Sequence, residues 1–368
     1  MFFFIHNTLI RNLFFIYRVY YYQMNKKNPY LPINKKWLNL YKEEALLPDL
    51  EIIDPHHHLW NLDFGKYLND DFIEDIQKSG HNVKASVYIM SSANTKIYNQ
   101  NSNESSTLPE IKFAYKQYLE SKNNKLNQCS VNSSIVGALD LRYGNKLTPV
   151  IEKGLEISNG KLTGIRMLLA AHNDERISSG AVKTRTGIML DPNFIEGAKV
   201  LEKINLSLDF WIYHTQLSEL EFVAKNLPNL SIILNHIGGP IQVGPYEGKQ
   251  GITHREWRRS MMRLAVFPNI KVKLGGLGMK VCGSKFYLNS RPPTSDQLSE
   301  LWKSWFFETI DLFGIDRCMF ESNFPVDKGS CSYGVLWNAF KKISTNFSND
   351  EKNKLFYQNA KETYNIKI

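Results

Sequence analysis

Eight short apolar runs punctuate this chain, at 52–58, 83–90, 135–141, 162–168, 206–214, 231–236, 270–275 and 317–322. None alternates strictly between polar and apolar residues. Such runs suit parallel strands covered on both faces, since a strand with one wet face alternates. Helical patterns lie between them. Asp191-Pro192 reads as the N-cap and first residue of a helix to about residue 204. Ser218 and Glu221 read as a capping box opening a helix over 218–227. After Pro292-Pro293-Thr294, the residues Leu298, Leu301, Trp302, Trp305, Phe306, Ile310 and Phe313 keep a helical period that Gly314 ends. Eight strands alternating with helices predict an α/β fold of the (β/α)₈ TIM-barrel type. A doubly wound open sheet is the runner-up. No G-x-G-x-x-G follows any run, which weakens a dinucleotide-binding version.

The chain of 368 residues, 43% hydrophobic and 12% aromatic, suffices for one such barrel with a large core. We expect a single barrel domain over 37–368, preceded by an extension at 1–36. Residues 1–23 are apolar and aromatic, but Arg11 and Arg18 interrupt them. Their uninterrupted runs fall short of the roughly 20 residues a membrane span needs. They also lack the charge order and small-residue cleavage site of a secretory signal. Met24 is therefore read as an alternative start, with a membrane-surface anchor as the competing reading and no stable membrane insertion in either. Cys129, Cys282, Cys318 and Cys331 show no C-x-x-C spacing, which points to a reducing compartment and a cytoplasmic location. The net charge of +9 is spread along the chain with no basic stripe, so no nucleic-acid partner is expected. A small-molecule substrate is, and a homo-oligomer is compatible with the sequence.

Chemistry concentrates at the ends of the predicted strands. The first gives Glu51-Ile-Ile-Asp-Pro-His-His-His-Leu-Trp60, holding three of the nine histidines. Alternate residues of a strand share a face, so Asp54, His56 and His58 should point one way and His57 the other. Two imidazoles so placed suit a metal pair or a polar grip on a substrate. The fourth strand supplies Arg166, the fifth His214 with Gln216 beyond it, the sixth His236 in Asn235-His-Ile-Gly-Gly-Pro240. The seventh contains Lys273, for which an outward, snorkelling orientation competes with an inward one. The eighth ends in Glu321-Ser-Asn323-Phe-Pro325-Val-Asp327. His214 as a satisfied core histidine and Arg166 as a partner of a structural carboxylate are the bland alternatives. His81, His172 and His254 sit in polar segments and are expected to face solvent, and Cys331 is expected to be inert. Long connections at 91–109, 240–256 and 277–297 would all lie on the C-terminal face of a barrel, where active sites are built.

These motifs, with Gly164-Ile-Arg166, Tyr213-His-Thr-Gln-Leu217 and Lys273-Leu-Gly-Gly-Leu-Gly-Met279, resemble the amidohydrolase-related (amidohydrolase 2) family. Within it the chain is similar to the lactonase-like group of TIM-barrel hydrolases, from about Trp37 onward. The resemblance implies that His56, His58, His214 and His236 match positions that bind one or two divalent metals. It also implies an aspartate after the eighth strand that takes a proton from the attacking water. Here Asn323 stands in that place, and an amide cannot accept the proton and ligates a metal more weakly. The resemblance therefore admits a zinc or manganese cofactor and equally admits catalysis without metal. Glu321, Asp327 and a histidine of the opening motif are the candidate bases. The catalytic set is then His56, His58, Arg166, His236, Glu321 and Asp327. The substrate-contacting set is Arg166, His214, Gln216, Lys273 and Asn323. Together they imply a hydrolase opening a small carboxylated or polyhydroxylated lactone. A metal-dependent decarboxylase of an aromatic acid, and a barrel that binds a ligand without catalysis, are the rival readings.

Overall fold

A computed structural model describes residues 30–62, 65–91, 104–123, 128–177 and 184–368. The expectations for residues 1–23 and Met24, and for most of the 91–109 connection, lie outside the described residues. Among the described residues ten strands are present in chain order: β1 Glu51–His57, β2 Trp60–Leu62, β3 Gly65–Tyr67, β4 Asn82–Ile89, β5 Ser130–Ala138, β6 Leu162–Leu168, β7 Ser207–Trp211, β8 Ile232–Leu234, β9 Ile270–Leu274 and β10 Cys318–Phe320. Strands β2 and β3 form a small antiparallel hairpin after the histidine segment. The other eight make one sheet in the order β1-β4-β5-β6-β7-β8-β9-β10, every pairing parallel. Its two edges meet past the end of β10. His57 bridges Phe324 in parallel, His58 N–H donates to Phe324 O at 2.7 Å, and Asn323 N–H donates to His56 O at 2.9 Å. The sheet is thereby a nearly closed barrel with helices outside it.

All eight expected strands are present. β5 starts well ahead of Ile135 because its polar lead pairs internally. Asn132, at φ 55°, donates its N–H to Ser86 Oγ at 3.1 Å and its amide to Ala114 O at 3.0 Å. Asp191 caps the helix Pro192–Lys203 through the Asn193 N–H, and Thr294 and Gln297 form a capping box on Ser295–Phe313. The Ser218–Glu221 box does not form. The helix starts at Leu217 on a tight turn over 214–216, and Glu221 instead pairs with Arg263 at 2.8 Å. The connection expected over 240–256 is shorter, since the helix Gln250–Ala265 begins inside it. Another helix, Glu104–Asn123, begins inside the 91–109 stretch.

One phase expectation fails in an informative way. Pro55 has no N–H for the ladder, and β1 carries an irregularity between Asp54 and His57. Asp54 therefore points outward, away from the face of His56 and His58. Its carboxylate accepts from Ser322 N–H at 3.0 Å and Tyr333 O–H at 3.0 Å, tying β1 to the segment after β10. Ile53 faces the barrel interior, with Ala85, Val87, Ile89, Val136 and Met319. From below, the C-terminal tail fills that interior with Ala360, Tyr364 and Ile366. His81 is buried where solvent exposure was expected. Its ring meets Gly334 O at 3.1 Å and Lys341 Nζ at 2.9 Å, while Lys341 also donates to Leu46 O and Leu47 O. Leu31 is buried, and a side chain at Gly329 would overlap it. No helix among the described residues is long and apolar enough to cross a membrane. The four cysteines are buried and free.

His57 faces the helix layer as expected, stacked on Phe72 at 4.1 Å with Nε2 3.0 Å from Ser86 Oγ. Burial holds its pKa down at about 3. The unfolded chain binds a proton there below its ordinary value near 6.5, and the folded one does not until about pH 3. Stability from this residue is thus full above pH 6.5 and is lost as pH falls through that window. Urea unfolding at pH 7 and pH 5 should show the native chain losing about 2 kcal/mol more than a His57→Gln variant. Equal losses in the two proteins would refute the assignment.

Candidate active site

The site is built where β1, β6, β8, β9 and β10 end. From β1, His56 is fully buried and His58 nearly so. His58 Nδ1 lies 2.9 Å from Ile89 O, and a carbonyl only accepts, so Nδ1 carries the proton and Nε2 the lone pair. That Nε2 is 3.3 Å from Nε2 of His56, and the two rings meet edge to face at 4.9 Å. Arg166, on β6, places Nη1 3.3 Å from the same His56 Nε2 while Nη2 donates to Met90 O. A guanidinium only donates, so His56 Nε2 accepts from it.

His56 Nδ1 faces Glu321. Fully buried at the end of β10, Glu321 has Oε2 2.7 Å from His56 Nδ1 and Oε1 2.6 Å from His236 Nδ1. Oε1 also accepts the His236 N–H at 3.0 Å. The Oε2 contact is short but poorly aligned as a hydrogen bond, which leaves a buried carboxylate oxygen without an aligned donor. Burial pushes the Glu321 acid up to about 8, against the pull of Lys273, the His236 N–H and Arg166. Burial, helped by Lys273 and Arg166, holds His56 and His236 well below the ordinary imidazole range, and burial with Arg166 does the same for His58. The imidazoles are therefore neutral at pH 7.

The backbone is bent to achieve this. His236, Ile237, Gly238 and Gly239 all lie in the left-handed region, at φ 54°, 49°, 74° and 52°. For a β-branched isoleucine that is a strained conformation, held only where surroundings over-determine it. The turn aims both the ring and the N–H of His236 at Glu321. The end of β9 needs glycines for the same reason. A Cβ at Gly275 would lie 2.4 Å from Glu321 O and 2.5 Å from its Cγ. At Gly276, φ +72°, it would lie 2.4 Å from His236 Nδ1.

His56, His236 and Glu321 form a metal-capable group, with ligand atoms all within 4.8 Å of one another. Neither His58 nor His214 belongs to it. His214 stands over Tyr246 at 5.1 Å, accepts the Ile241 N–H at 3.2 Å on Nδ1, and has Glu256 3.7 Å from Nε2. Gln216 is committed to backbone: it accepts from Ala171 and Tyr213 N–H and donates to Leu169 O. It braces β6 against β7 instead of facing a ligand. Lys273 points inward, fully buried, paired with Asp209 at 2.8 Å beneath the histidines. Asn323 donates its amide to Asp327 Oδ1 at 2.8 Å, and Asp327 Oδ2 takes the Gly278 N–H at 3.0 Å. Burial pushes Asp327 up to about 8. Asp209 and Tyr364 are the residues sequence reasoning missed. A charged residue inside the apolar run of β7 was a usable signal for the first; nothing local marks the second.

A parallel barrel with neutral histidines, an arginine and a buried carboxylate converging at its strand ends defines an amidohydrolase-type barrel. A profile of the amidohydrolase 2 family, described as amidohydrolase, matches residues 157–366. An uncharacterized protein of Sinorhizobium fredii, y4mH, is 30% identical over 328 residues, 87% of this chain and 100% of the relative. The chain belongs to that family. It is 26% identical to the L-rhamnono-gamma-lactonase of Scheffersomyces stipitis over 188 residues, 48% of this chain and 54% of that protein. An amidohydrolase of Burkholderia multivorans solved with bound zinc shares the fold at a TM-score of 0.65. It is 19% identical, covering 86% of this chain and 99% of that one.

Gly275→Ala should destabilise the fold by about 1–3 kcal/mol in urea unfolding, because the overlap is with backbone and with Glu321 itself. Gly65→Ala, with nothing within 4 Å, is the control and should be near neutral. Matching midpoints for the two variants would show that the β9 end does not depend on this close approach.

Proposed function

We infer that the protein hydrolyses a small lactone carrying a carboxylate or several hydroxyls. The observation that carries the reading is the arrangement around Glu321. It holds His56 and His236 by their Nδ1 atoms, while Arg166 and the lone pair of His58 converge on the far side of His56. The lactonase relative from Scheffersomyces stipitis supports the substrate class.

The donor set suits a divalent ion. His56, His236 and Glu321 are nitrogen and oxygen ligands of the kinds zinc and manganese take, and the unaligned Glu321 oxygen belongs to a buried carboxyl group that a cation would hold ionised. These three residues would hold the ion, and the zinc-bearing Burkholderia multivorans structure is consistent with it. Bound there, it would supply Lewis acidity toward the lactone carbonyl and lower the pKa of the attacking water.

The chain's own residues carry the remaining steps. Arg166 receives a substrate carboxylate or the carbonyl oxygen, its planar fork fixing the ring. His58, neutral and anchored by Ile89 O, takes the proton of the attacking water on Nε2. It then returns that proton to the alkoxide released when the ring C–O bond breaks. Glu321 is less suited to that transfer because it would hold the ion, and Asp327 because both its oxygens already hold internal partners. Asn323 serves as a brace for Asp327.

Two measurements test this. Elemental analysis of purified protein should find close to one zinc or manganese per chain, and Glu321→Gln should lose it. A panel of sugar-acid and carboxylated lactones should show ring opening, and Arg166→Lys should raise KM about tenfold for carboxylated members while sparing uncharged ones. No ring opening on any member, with or without added metal, would sink the reading. Release of carbon dioxide from an aromatic acid would replace it with a decarboxylase.

A further inference from the structure

The C-terminal tail enters the barrel from the side opposite the site. Asn359 donates its amide to Ile315 O and Cys318 O, both at 2.7 Å, and Thr363 Oγ accepts from Lys271 at 2.9 Å. These contacts seat Tyr364 inside the barrel, fully buried. Its hydroxyl lies 2.9 and 3.1 Å from the two carboxylate oxygens of Asp209 on β7. Asp209 Oδ2 also receives Lys273 Nζ and the Asn235 amide, each at 2.8 Å. The ammonium sits 4.9 Å over the Tyr364 ring.

Two charges removed from water cost several kcal/mol each, and their attraction offsets this only with good geometry and further hydrogen bonds. Tyr364 and Asn235 provide those bonds to Asp209, and the Tyr364 ring face receives the cation. The position of Lys273 matters because of its neighbour. Lys273 Nζ is 3.5 Å from His56 Nδ1, and the same Nδ1 is 2.7 Å from Glu321 Oε2. A long flexible ammonium thus lies within one side-chain swing of a second buried carboxylate, the one that organises the histidines.

We propose that Tyr364 is a positioning residue: through Asp209 it keeps Lys273 tethered below the site, so that Glu321 stays available to His56, His236 and an ion. Without the hydroxyl, Asp209 loses the bonds that fix the orientation of its carboxylate, Lys273 is placed less firmly, and the ammonium competes for Glu321 against any divalent cation. The tail is then a working part of the site as well as a plug. The inference rests on the metal-holding reading of Glu321 given above.

The test is a double-mutant comparison on the full chain, with zinc as the probe. Tyr364→Phe should raise the zinc Kd about tenfold by competition with a chelating dye, in the range expected when an outer partner of a metal site is lost. The same substitution in an Asp209→Asn, Lys273→Met background, where both charges are removed together, should leave the zinc Kd unchanged. A structural plug would instead lower Tm in both backgrounds with zinc affinity untouched, or weaken zinc equally in both. Either result overturns the proposal. If the native chain takes up no zinc, the metal reading fails and a metal-free readout decides this one. The ¹⁵N resonance of His56 Nδ1, assigned by single-site replacement, should move in Tyr364→Phe and stay in place when Tyr364→Phe is added to the doubly substituted chain. No movement in the first case overturns the tether.

Discussion

The Glu321 carboxylate is the interaction on which the rest of the structure depends. It sits at the end of the last strand and engages imidazoles carried by the first strand and the sixth barrel strand. The same turn that presents Glu321 supplies Asn323 N–H and Phe324 O to the backbone of the histidine segment, which closes the sheet. Closure of the barrel and assembly of the site are therefore one event. The strained left-handed run at 236–239 and the paired glycines at 275 and 276 are the local concessions that let three backbones approach one buried carboxyl group.

Charge balance explains why that carboxyl group can be there at all. Arg166 and Lys273 are the cations placed beside it, and each is held by something else: Arg166 by Met90 O, Lys273 by Asp209. Neither is aligned directly onto Glu321. The carboxylate is partly compensated, its proton affinity stays high, and the surrounding histidines stay neutral. Full pairing with an arginine would have produced a closed salt bridge with little capacity for a ligand. Partial compensation leaves a deficit of positive charge of the kind a divalent ion or a polarised substrate fills.

Much of the barrel was legible because its signals are local. Apolar runs of strand length, turn residues after them and helix caps are all readable within a dozen residues, and the polar groups at strand ends followed from that frame. Failures occurred where geometry is decided at a distance. The phase of Asp54 was misread because alternation holds only along an unbroken ladder, and Pro55 breaks it. His81 lies in a polar segment yet is covered by a helix from the far end of the chain. Tyr364 has no local mark of function. Its partner Asp209 is 155 residues away in sequence, and only the closed barrel brings them together.

Asn323 acts as a brace. An aspartate at this position would add a carboxylate to a buried region where Glu321 and Asp327 already hold protons well above the ordinary acidic range. An asparagine adds no charge and brings a donor. It uses that donor to fix Asp327, whose other oxygen holds the Gly278 N–H. A Cβ at Gly278 would lie 2.7 Å from that oxygen, so the loop after β9 is packed hard against the brace. In this structure the position thus serves architecture. The carboxyl group on which the two imidazoles converge is Glu321 instead.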